Sequence, residues 1–126
     1  MPPFTITVHP DQALLLVEAS GTATLAELCA YMDFVAALAR SRRARQAVLN
    51  LLAVDIQFSF TDHLTLGAHA AQALHELERV ASVVNGKYRS GTSEKAAQKS
   101  GLRLRTFTDL AEGLAWVAGD PLSPAP

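Results

Sequence analysis

Ala47-Val48-Leu49-Asn50-Leu51-Leu52-Ala53-Val54 is the stretch that decides how this chain folds. Asn50 is its one polar residue. A run without polar alternation fits a central strand covered on both faces, as in a parallel sheet. Just downstream, Phe58-Ser59-Phe60-Thr61-Asp62 carries capping residues and leads into a helix. The expected inner face of that helix is Leu64, Gly67, Ala71, Leu74 and Leu77. Small Gly67 and Ala71 predict a close approach of the helix to the sheet. Upstream, Thr24-Leu25-Ala26-Glu27 reads as a capping box, in which the Thr hydroxyl and the Glu carboxylate each satisfy a backbone amide. Leu25, Leu28, Met32, Val35 and Ala39 then recur at helical spacing.

Further out, Phe4, Ile6 and Val8 alternate with Thr5 and Thr7 as a half-buried strand. His9-Pro10-Asp11-Gln12 is turn chemistry, and a second strand from Ala13 to Val17 is the expected hairpin partner, ended by Gly21. On the other side, Val80 to Val84 is a further buried strand, followed by a loop from Asn85 to Gly91. Thr92 or Ser93 is expected to cap a short helix that stops at Gly101. Leu102, Leu104 and Thr106 alternate with Arg103 and Arg105 as a fifth strand. Thr108 or Asp109 opens a last helix with Leu110, Leu114 and Val117 inward, ended by Gly119 and Pro121. Trp116 is expected to pack at the edge of the core.

The order is β-β-α-β-α-β-α-β-α. That pattern predicts an α/β fold, with a mostly parallel sheet of about five strands under helical cover. It is expected as one domain over residues 1–119, with 120–126 a flexible C-terminal tail.

The chain has 126 residues and a formal net charge of -1, which sets nucleic acid aside as the expected partner. Arg40, Arg42, Arg43 and Arg45 fall at or beyond the end of the first helix, where positive charge complements the helix dipole. Residues 79 to 105 hold seven basic side chains against Glu94 alone, a local +6. Such asymmetry can focus an anionic ligand or can be ordinary solvated surface. Cys29 is the single cysteine, on the apolar stripe of the first helix, and is expected to be buried and inert. With no disulfide, no signal peptide and no apolar run long enough for a bilayer, the expectation is a soluble cytoplasmic protein.

Three features carry a family resemblance. One is the apolar strand ending in Val54-Asp55-Ile56-Gln57-Phe58. Another is the Ser-bearing helix start that follows it. The last is the strand and helix Arg105-Thr106-Phe107-Thr108-Asp109-Leu110-Ala111-Glu112-Gly113-Leu114-Ala115-Trp116-Val117. With the element order, they resemble the SpoIIAA-like branch of the STAS superfamily, the fold of bacterial anti-sigma-factor antagonists. The resemblance implies a bacterial, non-catalytic regulatory domain that binds another protein, such as a kinase or regulatory factor. It also implies a phosphorylation switch in an Asp-Ser-Ser-Gly-like stretch. Here that stretch is Phe58-Ser59-Phe60-Thr61, in which Ser59 alone keeps its type and matches the first serine. Ser59 and Thr61 are the candidate phosphorylation sites, and both also suit helix capping. Phe58, Phe60 and Asp62 are the candidate partner or ligand surface. One of the two phenylalanines should point inward and the other outward.

No complete catalytic motif is present. Gly86 to Gly91 has P-loop glycine spacing, but Thr92 stands where the lysine belongs. A weaker anion site remains, formed by Lys87, Arg89, Thr92 and Ser93 at a helix start. His63, His69 and His75 are six residues apart, so successive members point about 120° apart on a helix and form no metal site. Asp55 and Asp62 read as turn and cap residues. No cofactor is expected. The alternative to a protein-binding domain is a small-ligand carrier, lipid-like or anionic, because ligands collect at the C-terminal ends of parallel strands. An enzyme is the third reading. A deep pocket there would favour the ligand, and a flat apolar patch with a polar rim would favour the protein partner. A dimer is compatible with either.

Overall fold

The computed structural model describes residues 3–9, 14–88 and 91–119. In it, the apolar run forms most of β3 (Gln46–Asp55), the middle strand of five. The others are β1 (Thr5–His9), β2 (Leu15–Thr22), β4 (Arg79–Val84) and β5 (Leu104–Phe107). The helices are α1 (Leu25–Arg42), α2 (Phe60–Ala73), α3 (Thr92–Lys99) and α4 (Leu110–Val117). Strand order follows the sequence, β1-β2-β3-β4-β5. β1 is antiparallel to β2, and every other pair is parallel. The expected fold class and element order are those observed. The tail 120–126 and the turn residues 10–13 lie outside the described residues.

β3 explains its own composition. Ala47, Leu49 and Leu51 point to the face covered by α1, α2 and α3, where they meet Leu28, Met32, Val35, Leu66 and Ala70. Val48 points to the opposite face and packs with Ala81, Val83, Phe107, Trp116 and Val117. All three parallel crossovers therefore lie on one face, and among the described residues α4 alone covers the other. Because strand order never reverses, the sheet has no switch point of the kind that opens a ligand crevice. Asn50 is buried, and its Oδ1 accepts a hydrogen bond from the Leu52 amide.

Several expectations are corrected. β2 runs on through Gly21 to Thr22 instead of ending there. Leu64 is exposed, because the buried stripe of α2 is Leu66, Gly67, Ala70 and Ala71. At 100° per residue Leu64 lies just past the edge of that stripe, about a quarter turn from its centre. Leu74 and Leu77 are buried, but in the turn after α2. Gly67 brings α2 against α3 rather than the sheet: a Cβ there would sit 2.5 Å from the Ser93 carbonyl oxygen and 2.7 Å from Ala96 Cβ. The cap of α3 is neither Thr92 nor Ser93 but Gly91, at φ 79, with no side-chain cap. A left-handed residue favours glycine at that position. Trp116 is fully buried, with the Arg79 guanidinium over its ring. Its Nε1 has no hydrogen-bond partner among the described residues.

Tyr31 is a core residue that the helical spacing did not single out. It is fully buried, and its hydroxyl donates to the Val17 carbonyl at 2.7 Å. Burial, and then the nearby Glu18 charge, push its phenol well above the usual tyrosine range.

Candidate functional site

β2 and β3 both hand over to helices at the same end of the sheet. The Ala23 amide donates to the Asp55 carbonyl at 3.0 Å and ties the two handovers together. Each helix start is locked by a capping box. In α1, Thr24 Oγ1 accepts from the Glu27 amide and Glu27 Oε1 accepts from the Thr24 amide. In α2, Ser59 Oγ accepts from the Asp62 amide at 3.1 Å, and Asp62 Oδ2 accepts from the Ser59 amide at 3.1 Å. Ser59 is thus an N-cap, with Thr61 exposed in the first turn.

The phenylalanines beside it divide as expected. Phe58 is half-buried against the main core, with its ring 5.4 Å from that of His63. Phe60 is 68% exposed, and Leu64, one turn along, is 41% exposed. The pair forms an apolar step on a rigid helix start. Next to it lies an open depression of about 470 Å³, lined by Thr22, Thr24, Asp55, Gln57, Phe58 and Asp62 among others. Its charged lining residues are both carboxylates.

A second cavity, of about 80 Å³, lies inside, between the sheet and the three-helix layer. Its walls are mostly apolar, from Leu28, Met32, Leu51, Leu66, Val84 and Leu104, with His63, Ser93 and Glu94 also lining it. That volume is well under the ~300–1,000 Å³ of ordinary small-molecule sites.

The proposed anion set lies between the end of β4 and the first turn of α3. Ser93 Oγ lies 3.0 Å from His63 Nδ1, turned to α2. Thr92 is the first residue of α3. Lys87 is exposed, and its amide donates to Asn85 Oδ1 at 3.2 Å. Arg89 lies outside the described residues. The histidines go separate ways: His69 Nε2 meets Asp33 of α1 at 2.8 Å, and His75 Nδ1 meets the Gln72 carbonyl. Among the described residues no group of three or more His, Cys, Asp or Glu converges on a metal site. Cys29 is half-buried rather than buried, and burial, with Asp33 nearby, pushes its thiol up, away from the reactive thiolate.

No model of a known family matches the chain, and no curated protein does. Solved structures do match. An anti-sigma factor antagonist from Mycobacterium paratuberculosis superposes with a TM-score of 0.64 at 14% identity, over 92% of this chain and 95% of that one. This chain has the SpoIIAA-like fold. A protein of the DUF3478 family from Shewanella loihica PV-4, itself uncharacterised and of SpoIIAA-like fold, superposes with a TM-score of 0.54 at 18% identity, over 93% of this chain and 95% of that one. In this SpoIIAA-like domain, no helix among the described residues is long and apolar enough to cross a membrane.

Proposed function

We propose that this chain is a non-catalytic regulatory domain that binds another protein at the start of α2. The observation that carries this is the exposed Phe60–Leu64 pair, at 68% and 41%, on a doubly capped helix start beside a carboxylate-walled depression. Exposed aromatics on a rigid support are the usual anchors of protein interfaces. The fold shared with an anti-sigma factor antagonist supports the same reading. The partner is a kinase or regulatory factor whose contact surface offers an apolar pocket for Phe60 and basic groups for Asp55 and Asp62.

Ser59 and Thr61 are the modification sites within this reading. Ser59 Oγ already holds the Asp62 amide, so a phosphate there would replace a neutral cap with a group of about −2 beside the Asp62 carboxylate. Dipole attraction and carboxylate repulsion then oppose each other, and the helix start is the element that responds. The small-ligand alternative would use the 80 Å³ cavity, which suits a group of only a few heavy atoms.

The test is a photo-crosslinking residue at position 60, introduced into the protein in its own cells. A discrete protein adduct, lost when Leu64→Asp is added, supports the reading. Adducts that ignore Leu64→Asp, or a stoichiometric small molecule in native mass spectra without a protein companion, overturn it.

A further inference from the structure

Among the described residues β5 is an edge strand, paired through β4 alone. In a parallel sheet each residue uses its own amide and carbonyl on one side, while its neighbours in the chain point theirs to the other. Here the Val80 amide donates to the Arg103 carbonyl. The Leu104 carbonyl and the Thr106 amide accordingly face outward, where an edge normally meets water or another chain.

Neither group is left to water. Gln98 Nε2 donates to the Leu104 carbonyl at 2.7 Å, and Glu94 Oε2 accepts from the Thr106 amide at 2.6 Å. Glu94 and Gln98 are one turn apart on α3, and their outer ends also approach, at 3.5 Å. One donor on Leu104 and one acceptor on Thr106 are the two bonds that a single residue of a sixth parallel strand, opposite Arg105, would make. The side-chain pair imitates a strand.

The stand-in is displaceable without moving the helix. α3 is seated on α2 through Gly67 and the His63–Ser93 contact, so rotation of two side chains uncovers the edge while the backbone stays in place. Charge selects the occupant. Residues 91 to 107 carry Lys95, Lys99, Arg103 and Arg105 against Glu94 alone. Lys95, Lys99 and Arg103 are exposed, and the Arg105 guanidinium lies over the Phe107 ring. When a strand displaces the Glu94 side chain from Thr106, the cations of residues 91 to 107 still outnumber that carboxylate four to one. A second copy of the chain would bring the same cations to the same edge.

The geometry points to the β5 edge as a strand-addition site for an extended, acidic segment of a partner protein, held closed by the Glu94–Gln98 pair. This surface is separate from the start of α2 and does not depend on it.

The probes are two blocked peptides, acetyl-TEVEVET-amide and acetyl-TKVKVKT-amide, followed by amide NMR shifts of the intact chain. The acidic peptide is expected to shift Thr106 saturably, and the basic one is not. Glu94→Ala with Gln98→Ala, which removes both competing hydrogen bonds, is expected to tighten acidic-peptide binding by about tenfold. An unshifted Thr106 in the unaltered chain, or an equal response to both peptides, overturns the proposal. So does a double variant that gains nothing for the peptide, or that self-associates in sedimentation. If the double variant fails to fold, the unaltered chain decides by its Thr106 response alone.

Discussion

Ser59 Oγ holds the Asp62 amide, while the next side chain, Phe60, faces mostly solvent. Their substitutions should therefore separate. Ser59→Ala removes an N-cap and is expected to cost about 0.5–2 kcal/mol in urea unfolding. Phe60→Ala should stay within about 0.5 kcal/mol of the parent, as surface changes do, yet abolish co-purification of the partner that the position-60 crosslinker identifies. A large stability loss at Phe60 would place it in the core instead. Tyr31 is the reverse case, an invisible residue with a large role. Its hydroxyl is buried on the Val17 carbonyl, so Tyr31→Phe is expected to cost about 0.5–1.5 kcal/mol. Its phenol is raised in the folded chain from the ordinary 10.0. Stability from that shift is complete below pH 10 and falls as pH rises beyond it, because the unfolded chain loses the proton first, with a slope of about 1.4 kcal/mol per pH unit. Unfolding measured from pH 9 to 11.5 should show that decline in the parent, and Tyr31→Phe should lack it. Sequence periodicity found Leu28, Met32 and Val35 but passed over Tyr31. A phenol is equally at home on a surface, and only the Val17 carbonyl makes its burial sensible.

At the scale of elements, the α2–α3 contact gives a sign reversal. In a helix interior, Gly→Ala ordinarily stabilises by about 1 kcal/mol. At Gly67 the new methyl would meet the Ser93 carbonyl at 2.5 Å, which is backbone and cannot swing aside. Gly67→Ala is therefore expected to destabilise, by roughly 1–3 kcal/mol, with faster hydrogen exchange in α3. A stabilised variant would mean that the two helices are not in contact there. Elements were legible where the signal was local. Thr24 and Glu27 announced the start of α1, and the unbroken run at Ala47 announced β3. Elements were misjudged where the outcome depended on a distant neighbour. Leu64 matched helical spacing as well as Leu66 did, and only the seating of α2 on α3 and the sheet chose between them. Glu94 and Gln98 read as ordinary polar residues of a short helix, since nothing local marks side chains that close a strand six and twelve residues further on.

For the whole molecule, the sheet separates two apolar clusters of unequal size but also joins them. Ala47 and Leu49 belong to the larger cluster and Val48, between them, to the smaller. Neither layer can lose its packing without exposing one side of the same strands. Alternation along β3 thus couples α1, α2 and α3 to α4, although the helices lie on opposite faces. Trp116 is the chain's one tryptophan and sits in the smaller cluster, 2% exposed, so its fluorescence reports the α4 face alone. Far-UV circular dichroism is dominated instead by α1 and α2. If the shared strands enforce cooperativity, the two signals should give one coincident urea transition, with the same midpoint and the same slope. A fluorescence transition at lower urea would show α4 leaving first and the three-helix layer standing alone. The same coupling sets the expected cost of Trp116→Ala at about 3–5 kcal/mol, a large part of the ~5–15 kcal/mol that holds a domain folded. That loss should lower both signals together, because the strands beneath Trp116 are also the floor of the larger core.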